Sequence, residues 1–466
     1  MITVYNTLGR EPQAFKPLEE GLVRMYVCGP TVQSAPHLGH GRCAVVFDVI
    51  RRYLVWRGWD VRYVQNITDV DDKIIANASR LQIAPEELAR DMAGRFRSGY
   101  RALNVLDPDV EPAATEHIPG MIAMIGRLVD RGLAYPGGGD VYFRVRALEG
   151  YGRLSGRNID ELRSGERIEP GVDKEDPLDF ALWKGAKPGE PAWPSPWGPG
   201  RPGWHIECSA MSAEYLGPSF DIHAGGSDLI FPHHENEIAQ SEGASGLRFA
   251  KYWLHNGMVN LGGEKLSKST GHTIDLAEAI ERHGGAVIRL FYLRAAYRSP
   301  LEFSEELLEE AATSLERLRA FARRSPQASV ADTCTIERFA AAMDDDFNTA
   351  EALAVLFETV RDGNARLDRG RDAGAQGAAV AELAGVLGID LADAGLDDLA
   401  GPLADLAVAH GVGPGSPDVV VEALIAARTR ARSARDWERA DAIRHDLAGI
   451  GILIEDSADG SRWHRR

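Results

Sequence analysis

Cysteine is scarce: the 466 residues hold four, at Cys28, Cys43, Cys208 and Cys334. So few and so scattered, they exclude a disulfide framework and read as reduced thiols, whose special role, if any, is metal binding or catalysis. No run approaches the ~20 consecutive apolar residues that cross a bilayer, and Met1 to Arg10 has no apolar secretory core. The expected compartment is the cytoplasm, with no membrane partner. Positive charge is also in deficit, with Lys+Arg 52 against Asp+Glu 69 and a net charge of −17. That excludes a wholly basic surface binding nucleic acid indiscriminately, and leaves room for a local basic face. No internal repeat of fixed period is present. What remains is ordinary for a globular chain: 44% hydrophobic and 26% charged residues, excluding disordered and fibrous classes. At ~150 residues per domain the length suggests about three domains.

The first patterned segment reads as strand, turn, helix, strand. Leu22 to Val27 is β-branched and apolar, Cys28-Gly29-Pro30 breaks it, and His40 to Trp56 places Val45, Val46, Val49, Ile50, Tyr53 and Leu54 at helical spacing. Gly58 stops that helix and Val61 to Ile67 reads as a second strand. Such a unit is a parallel βαβ crossover, whose ligand crevice lies at the carboxyl ends of the strands. Cys28 and Thr68 fall there. Helices are expected near Glu86 to Leu106 and His117 to Arg131, and Asp107 to Gly203 looks inserted rather than part of the sheet, with one short strand at Val141 to Val145. The Pro/Gly/Trp-rich run Lys187 to Gly203 suits neither helix nor central strand. From Glu305 the chain turns helical: Glu305 to Arg324, Ile336 to Met343 and Ala350 to Leu367. An Ala/Gly/Asp-rich stretch, Asp368 to Gly415, follows with at least one weak helix. A terminal unit begins near Ser416.

Three strings carry chemistry. His37-Leu38-Gly39-His40 opens the first helix, where two histidines three apart face one way. Unpaired N–H groups and the positive dipole end at that position suit a phosphate, and Gly39 lets a base or phosphate approach closely. Alternatively, one histidine caps the loop and the other is half-buried. Lys265-Leu266-Ser267-Lys268-Ser269 places two lysines three apart in a Gly/Ser-rich loop, able to neutralise charge developing on a polyphosphate; a solvated charged loop is the plain alternative. In Phe231 to Glu237, His233 and Glu237 share a helix face as metal ligands often do. No local spacing links Cys28 with Cys208, and singly each reads as a small buried hydrophobe.

Taken together the strings resemble class I cysteinyl-tRNA synthetases over nearly the whole chain. The resemblance rests on Tyr26-Val27-Cys28-Gly29-Pro30-Thr31, the His37 to His40 string, Asn66 to Lys73, Trp204 to Ser209, Asp221 to Glu237, and Lys265 to Ser269, in that order. Gln33-Ser34 stands where the family often has Tyr-Asp. The implied architecture is α/β: a Rossmann-like parallel-sheet catalytic domain (1–304, insertion about 107–203), a helical tRNA-binding domain (305–400), then a linker with a small C-terminal anticodon-binding domain (401–466). The resemblance implies one zinc ion on Cys28, Cys208, His233 and Glu237, with Thr68, Trp204 and His223 near the bound amino acid. It also implies that His37, Gly39, His40, Lys265 and Lys268 handle ATP, which brings Mg2+ with it.

The implied reaction joins cysteine to the α-phosphate of ATP, then transfers it to the terminal ribose of tRNA(Cys), with the chain acting as a monomer. Zinc accepts a thiolate far better than a hydroxyl, so serine is rejected by ligand chemistry and a large editing domain is unnecessary. At the C-terminal end, Arg428, Arg432 and Arg435 form a basic stripe at helical spacing, and Trp463 sits among cations in Gly460 to Arg466 as a surface for stacking on a base. An amphipathic helix with a basic tail is the alternative. Two rival functions remain in view. One is a ligase passing the same cysteinyl-adenylate to an amino sugar in mycothiol synthesis, which generally lacks the complete anticodon-binding end. The other is a non-catalytic zinc or RNA-binding module, against which both histidines and both lysines argue.

Overall fold

A computed structural model describes residues 1–158, 173–261, 264–265, 274–326, 328, 330–392, 399–457 and 460–465. After a short hairpin, β1 (Thr3–Asn6) with β2 (Glu11–Ala14), the chain enters β3 (Leu22–Val27), α1 (Leu38–Trp56) and β4 (Asp60–Gln65). β3 pairs with β4 in parallel, Leu22 opposite Asp60 and Val27 opposite Gln65. Both strands bury their last three residues, as strands covered on both faces must. Two helices follow, α2 (Asp72–Leu81) and α3 (Pro85–Ala102), the second opened by a proline whose missing N–H costs nothing there.

Asp107 to Gly203 is only partly an insertion. Its first residues run along the free edge of β4, where Gln65 donates to the Val110 carbonyl and Ile67 to that of Pro112. Aspartates and a proline on this lane conceal its strand character in the sequence. Beyond it come α4 (Ile118–Asp130) and four strands, β5 (Ala134–Gly137), β6 (Asp140–Phe143), β7 (Phe180–Gly185) and β8 (Gly200–Pro202). They form an antiparallel sheet in sequence order. The proline-rich run therefore does yield a strand, and β8 lies at an edge, where proline is tolerated.

The chain returns through α5 (Trp204–Leu216), β9 (Phe220–Gly226), a kinked turn at Ile230–His234, α6 (Glu235–Ser245) and β10 (Ala250–Asn256). β9 inserts beside β3, Met25 opposite Ile222, and β10 flanks β9, so the central parallel sheet has the order β10-β9-β3-β4. A small sheet of β11 (Val259–Leu261), β12 (Glu264–Lys265) and β13 (Leu301–Phe303) surrounds α7 (Leu276–His283) and α8 (Gly285–Leu293) in sequence. Helices α9 (Glu305–Arg324), α10 (Thr333–Asp344), α11 (Thr349–Leu367) and α12 (Gly374–Val386) complete a first compact unit, Met1–Asp390.

The second unit is Leu391–Arg466. It contains α13 (Ala400–His410), α14 (Pro417–Ser433), α15 (Trp437–Gly449) and the hairpin β14 (Ile452–Ser457) with β15 (Gly460–Arg465). Leu403 and Ala407 of α13 pack into the same core as Leu424, Ile443 and Ile454, so this helix is part of the unit. The basic stripe is corrected here. Arg428 is buried and donates bidentately to Asp456 at 2.8 and 2.7 Å, and Arg432 lies 2.8 Å from the same carboxylate. Arg435 is past the helix end with a positive φ of 59°. Two of the three charges are thus spent inside the unit. Trp463 is corrected likewise: its ring packs on the core and its indole N–H donates to Glu422 at 2.9 Å.

Candidate metal and nucleotide site

The site begins where β3 stops. Cys28 still donates its N–H to the Ala224 carbonyl at 2.9 Å, which locks the residue to β9. The next residue must be glycine. A Cβ at Gly29 would lie 1.6 Å from the Asn66 carbonyl oxygen, while its N–H donates to the Asn66 side chain at 2.9 Å. The Cys28-Gly29 break therefore lets the loop after β4 close on the strand end and brings Thr68 alongside. Cys208 comes from the second turn of α5, and His233 and Glu237 from the turn and first helical residues after β9.

These four residues, nearly fully buried, bring one donor atom each within 4.8 Å of one another. The two sulfurs are 3.6 Å apart, Cys28 Sγ is 3.3 Å from Glu237 Oε1, and His233 Nε2 is 3.0 Å from the same oxygen. A tetrahedron built on ordinary zinc bond lengths has edges of about 3.8 Å for S–S, about 3.6 Å for S–O and about 3.4 Å for N–O. Each observed separation falls a few tenths of an ångström short of its edge, and the sulfurs are far too distant for a disulfide. Burial pushes the Cys28 thiol well above its ordinary pKa, reinforced by Cys208 and then by Glu237. The hydrogen bond from Cys28 pulls Cys208 down, yet burial and Glu237 outweigh it and leave that thiol raised as well. Burial drives His233 well below its usual range, and neighbouring His205 and His223 add to the effect. Crowded potential anions that suppress one another's ionisation are what a divalent cation would relieve. The donor set fits a soft-to-borderline ion such as zinc.

Neighbouring side chains fix these donors. His205 Nδ1 lies 2.9 Å from His233 Nδ1, which leaves Nε2 of His233 to face Glu237. Trp204 stacks on the His233 ring at 4.2 Å. His223, expected beside the amino acid, is fully buried and lies behind Glu237, its Nε2 2.8 Å from Oε2 of that carboxylate. Although a ring nitrogen of His223 lies within 4.8 Å of donor atoms of Cys28, His234 and Glu237, it is not among the residues that line the cleft. Thr68 does line it, and its hydroxyl donates to buried Glu207 at 2.8 Å.

The cleft lined by Cys28, Cys208 and His233 has a volume of about 260 Å³, and its lining also includes His37, Gly39 and His40. Here the structure corrects the expectation of unpaired helix-start donors. His37 caps its own helix, its Nδ1 accepting from the Gly39 N–H at 3.1 Å, while His40 Nδ1 accepts from the His37 N–H at 3.1 Å. The Leu38 N–H donates to the Ile274 carbonyl, and those of His40 and Gly41 turn back to the His37 carbonyl. The first turn is therefore closed, and it presents the two rings, stacked at 3.7 Å, instead of backbone. Lys265 sits on β12 opposite Asn260, and Lys268 lies outside the described residues, as does the side chain of Lys265. Ile274 to Leu276 are stitched to Pro36 and Leu38, with Asp275 bridged to His37. Residues given no role in the sequence reading include His205, Glu207 and Lys73, the last among those lining the cleft. The need of a ligating histidine for a partner at its second nitrogen was a signal for the first.

Three families match in order: "tRNA synthetases class I (C) catalytic domain" over 14–313, "DALR domain" over 338–392, and "Cysteinyl-tRNA ligase anticodon binding domain" over 418–463. The chain is 51% identical to the cysteine–tRNA ligase of Pseudomonas paraeruginosa over 99% of both proteins. It is 49% identical to that of Chromobacterium violaceum over 100% of both. Among solved structures, Mycobacterium tuberculosis methionyl-tRNA synthetase bound by methionyl-adenylate shares the fold at a TM-score of 0.60 and 15% identity, with 78% of this chain and 91% of that one covered. Agrobacterium radiobacter LeuRS in its ternary complex gives 0.56 at 11%, with 80% and 84% covered. With a matching catalytic domain, a matching anticodon-binding domain and half its residues shared end to end, the chain belongs to the cysteine–tRNA ligase family of class I synthetases.

Proposed function

We propose that the chain activates cysteine with ATP, releasing pyrophosphate, and transfers the cysteinyl group to the terminal ribose of tRNA(Cys), in the cytoplasm and as a monomer. The convergence of Cys28, Cys208, His233 and Glu237, the first three lining the cleft and Glu237 fully buried beside them, carries the reading. All four come from one chain, so no second subunit is needed to complete the site. They would hold one zinc ion, which when bound supplies a soft charged partner for a substrate thiolate and a poor one for the hydroxyl of serine.

The remaining work belongs to the chain's own side chains. Trp204, stacked on His233, walls the floor with an apolar face. Thr68 commits its proton to Glu207 and accepts a long hydrogen bond from the Asn66 amide at 3.4 Å, which leaves one oxygen lone pair for a donor such as the α-ammonium group of the amino acid. His37 and His40 offer ring N–H groups to phosphate oxygens, and Lys265 and Lys268 neutralise the departing pyrophosphate. Mg2+ travels with ATP on phosphate oxygens and water, without an assigned protein ligand. Neither step calls for a protein nucleophile: alignment of the cysteine carboxylate with the α-phosphorus, then of the ribose hydroxyl with the activated carbonyl, supplies the rate. The second unit distinguishes this reading from an amino-sugar ligase. Zinc-replete protein should exchange pyrophosphate into ATP only with cysteine present, and should charge tRNA(Cys). Exchange without charging would favour the amino-sugar ligase, and absence of exchange would favour a binding module.

A further inference from the structure

Two arginines of the first unit are fully buried, and only Arg289 has a carboxylate partner among the described residues; Arg42 has none. It is fully buried on α1, two residues beyond His40, and no carboxylate pairs with it among the described residues. Its guanidinium instead donates to main-chain carbonyls: Gly257 at 2.9 Å, Met258 at 2.8 Å and Ser299 at 2.6 Å, with longer contacts of 3.4 and 3.5 Å to Ala296 and Tyr297. Burial lowers its pKa to about 10, so the charge persists at neutral pH. A buried cation held by neutral dipoles alone is an expensive way to join two segments, and an apolar side chain of similar volume usually serves packing as well or better. What the guanidinium adds is direction.

Two of the carbonyls it holds, Gly257 and Met258, belong to the Asn256–Met258 segment, which lines the same cleft as His37, Gly39 and His40 and leads into the strand pair that carries Lys265, while the other three, on Ala296, Tyr297 and Ser299, tie that segment to the turn before β13. Residue 257 must be glycine for this approach, since a Cβ there would lie 2.3 Å from the Ser299 carbonyl oxygen. Arg42 thus turns the Gly257 and Met258 carbonyls away from the cleft, and it does so from the helix that carries the two histidines. We propose that Arg42 is a positioning residue for the nucleotide: it sets the Gly257–Met258 wall at a fixed distance from His37 and His40, so that ATP finds both sides of its site already formed.

The inference rests on the ATP-dependent reading above, and wild-type exchange tests that reading separately. The experiment compares Arg42→Lys and Arg42→Met in pyrophosphate exchange, with ATP and cysteine varied independently, ATP binding measured directly by equilibrium dialysis, and zinc content and thermal melting recorded. Lysine restores a charge but cannot span both carbonyls. Losing the hydrogen bonds that orient the wall should raise KM and Kd for ATP about tenfold in Arg42→Met and less in Arg42→Lys. The KM for cysteine should stay within about twofold and zinc content unchanged, because the thiol-binding floor is built on other segments. Equal KM shifts for both substrates, unchanged ATP affinity in folded variants, or loss of zinc and melting temperature together in both variants would each overturn the proposal and leave Arg42 a stability residue. If wild-type protein binds ATP but shows no exchange, the functional reading fails while the Arg42 binding comparison still decides this point.

Discussion

Cys28 stands at the point where a strand hydrogen bond and a ligand position coincide. Its N–H is fixed to β9 and its sulfur lies 3.6 Å from Cys208, so a side-chain change acts on the donor set without moving the strand. Cys28→Ser replaces a thiolate with a hydroxyl that ionises far less readily and binds a borderline metal poorly. Purified Cys28→Ser should carry markedly less zinc by metal analysis and show a KM for cysteine raised at least about tenfold, while its KM for ATP stays near wild type. Full zinc content in the variant would remove Cys28 from the site. Gly29→Ala attacks the same position through the backbone. Its methyl group would meet the Asn66 carbonyl at 1.6 Å, so strand end and loop must separate. Overpacking of this kind costs about 1–3 kcal/mol. Thermal melting should register the loss, and zinc content should fall with it because Cys28 is displaced.

At the scale of elements, the helix–strand periodicity that announces β3, α1 and β4 depends on contacts local in sequence, and so do the long helices 305–324 and 349–367, all legible in the amino-acid sequence. What periodicity could not carry was partnership at a distance. Of the antiparallel sheet β5 to β8 only β6 is legible, as the strand expected at Val141 to Val145; β5 and β8 are three or four residues long and carry proline and glycine. The lane beside β4 is masked by Asp109 and Pro112. The meeting of Cys28 with Cys208 was reached only through resemblance, since 180 residues separate them. The stripe on α14 failed for the same reason, because its partner Asp456 lies on β14. That partnership is testable. The hydrogen bonds of Arg428 hold the Asp456 carboxyl well below the usual carboxylate range, working against a smaller burial effect. The folded group stays ionised where the unfolded chain has taken up a proton, so its stabilisation is complete above the ordinary carboxylate pKa of about 4 and fades as acid titrates the folded state. Asp456→Asn should therefore lower the stability of the second unit by about 1 kcal/mol at neutral pH, a modest value because the carboxylate is partly exposed. The gap between variant and wild type in chemical denaturation should narrow steadily as the pH falls below about 4.

For the whole molecule, the division into two compact units predicts that the two half-reactions respond to different substitutions. The donor cluster, the stacked histidines and Arg42 all belong to Met1–Asp390, while the hairpin and helices of Leu391–Arg466 have their own core. Within that second unit Trp463 is committed to packing, but Trp437, at the start of α15, is 57% exposed. Asp436 caps the helix by accepting from the Arg439 N–H, so the indole is held at a defined corner without serving the core. An exposed aromatic ring beside arginines is a platform for an unstacked base, and losing one such stack costs about 1–3 kcal/mol. Trp437→Ala should leave cysteine-dependent pyrophosphate exchange and melting temperature near wild type while lowering charging of tRNA(Cys) at limiting tRNA about tenfold or more. Trp463→Ala should instead lower the melting temperature of the second unit, with charging falling in proportion to the protein unfolded. A Trp437→Ala variant that charges tRNA normally would take this corner out of RNA recognition. One that loses exchange and charging equally would contradict the separation of tasks between the units.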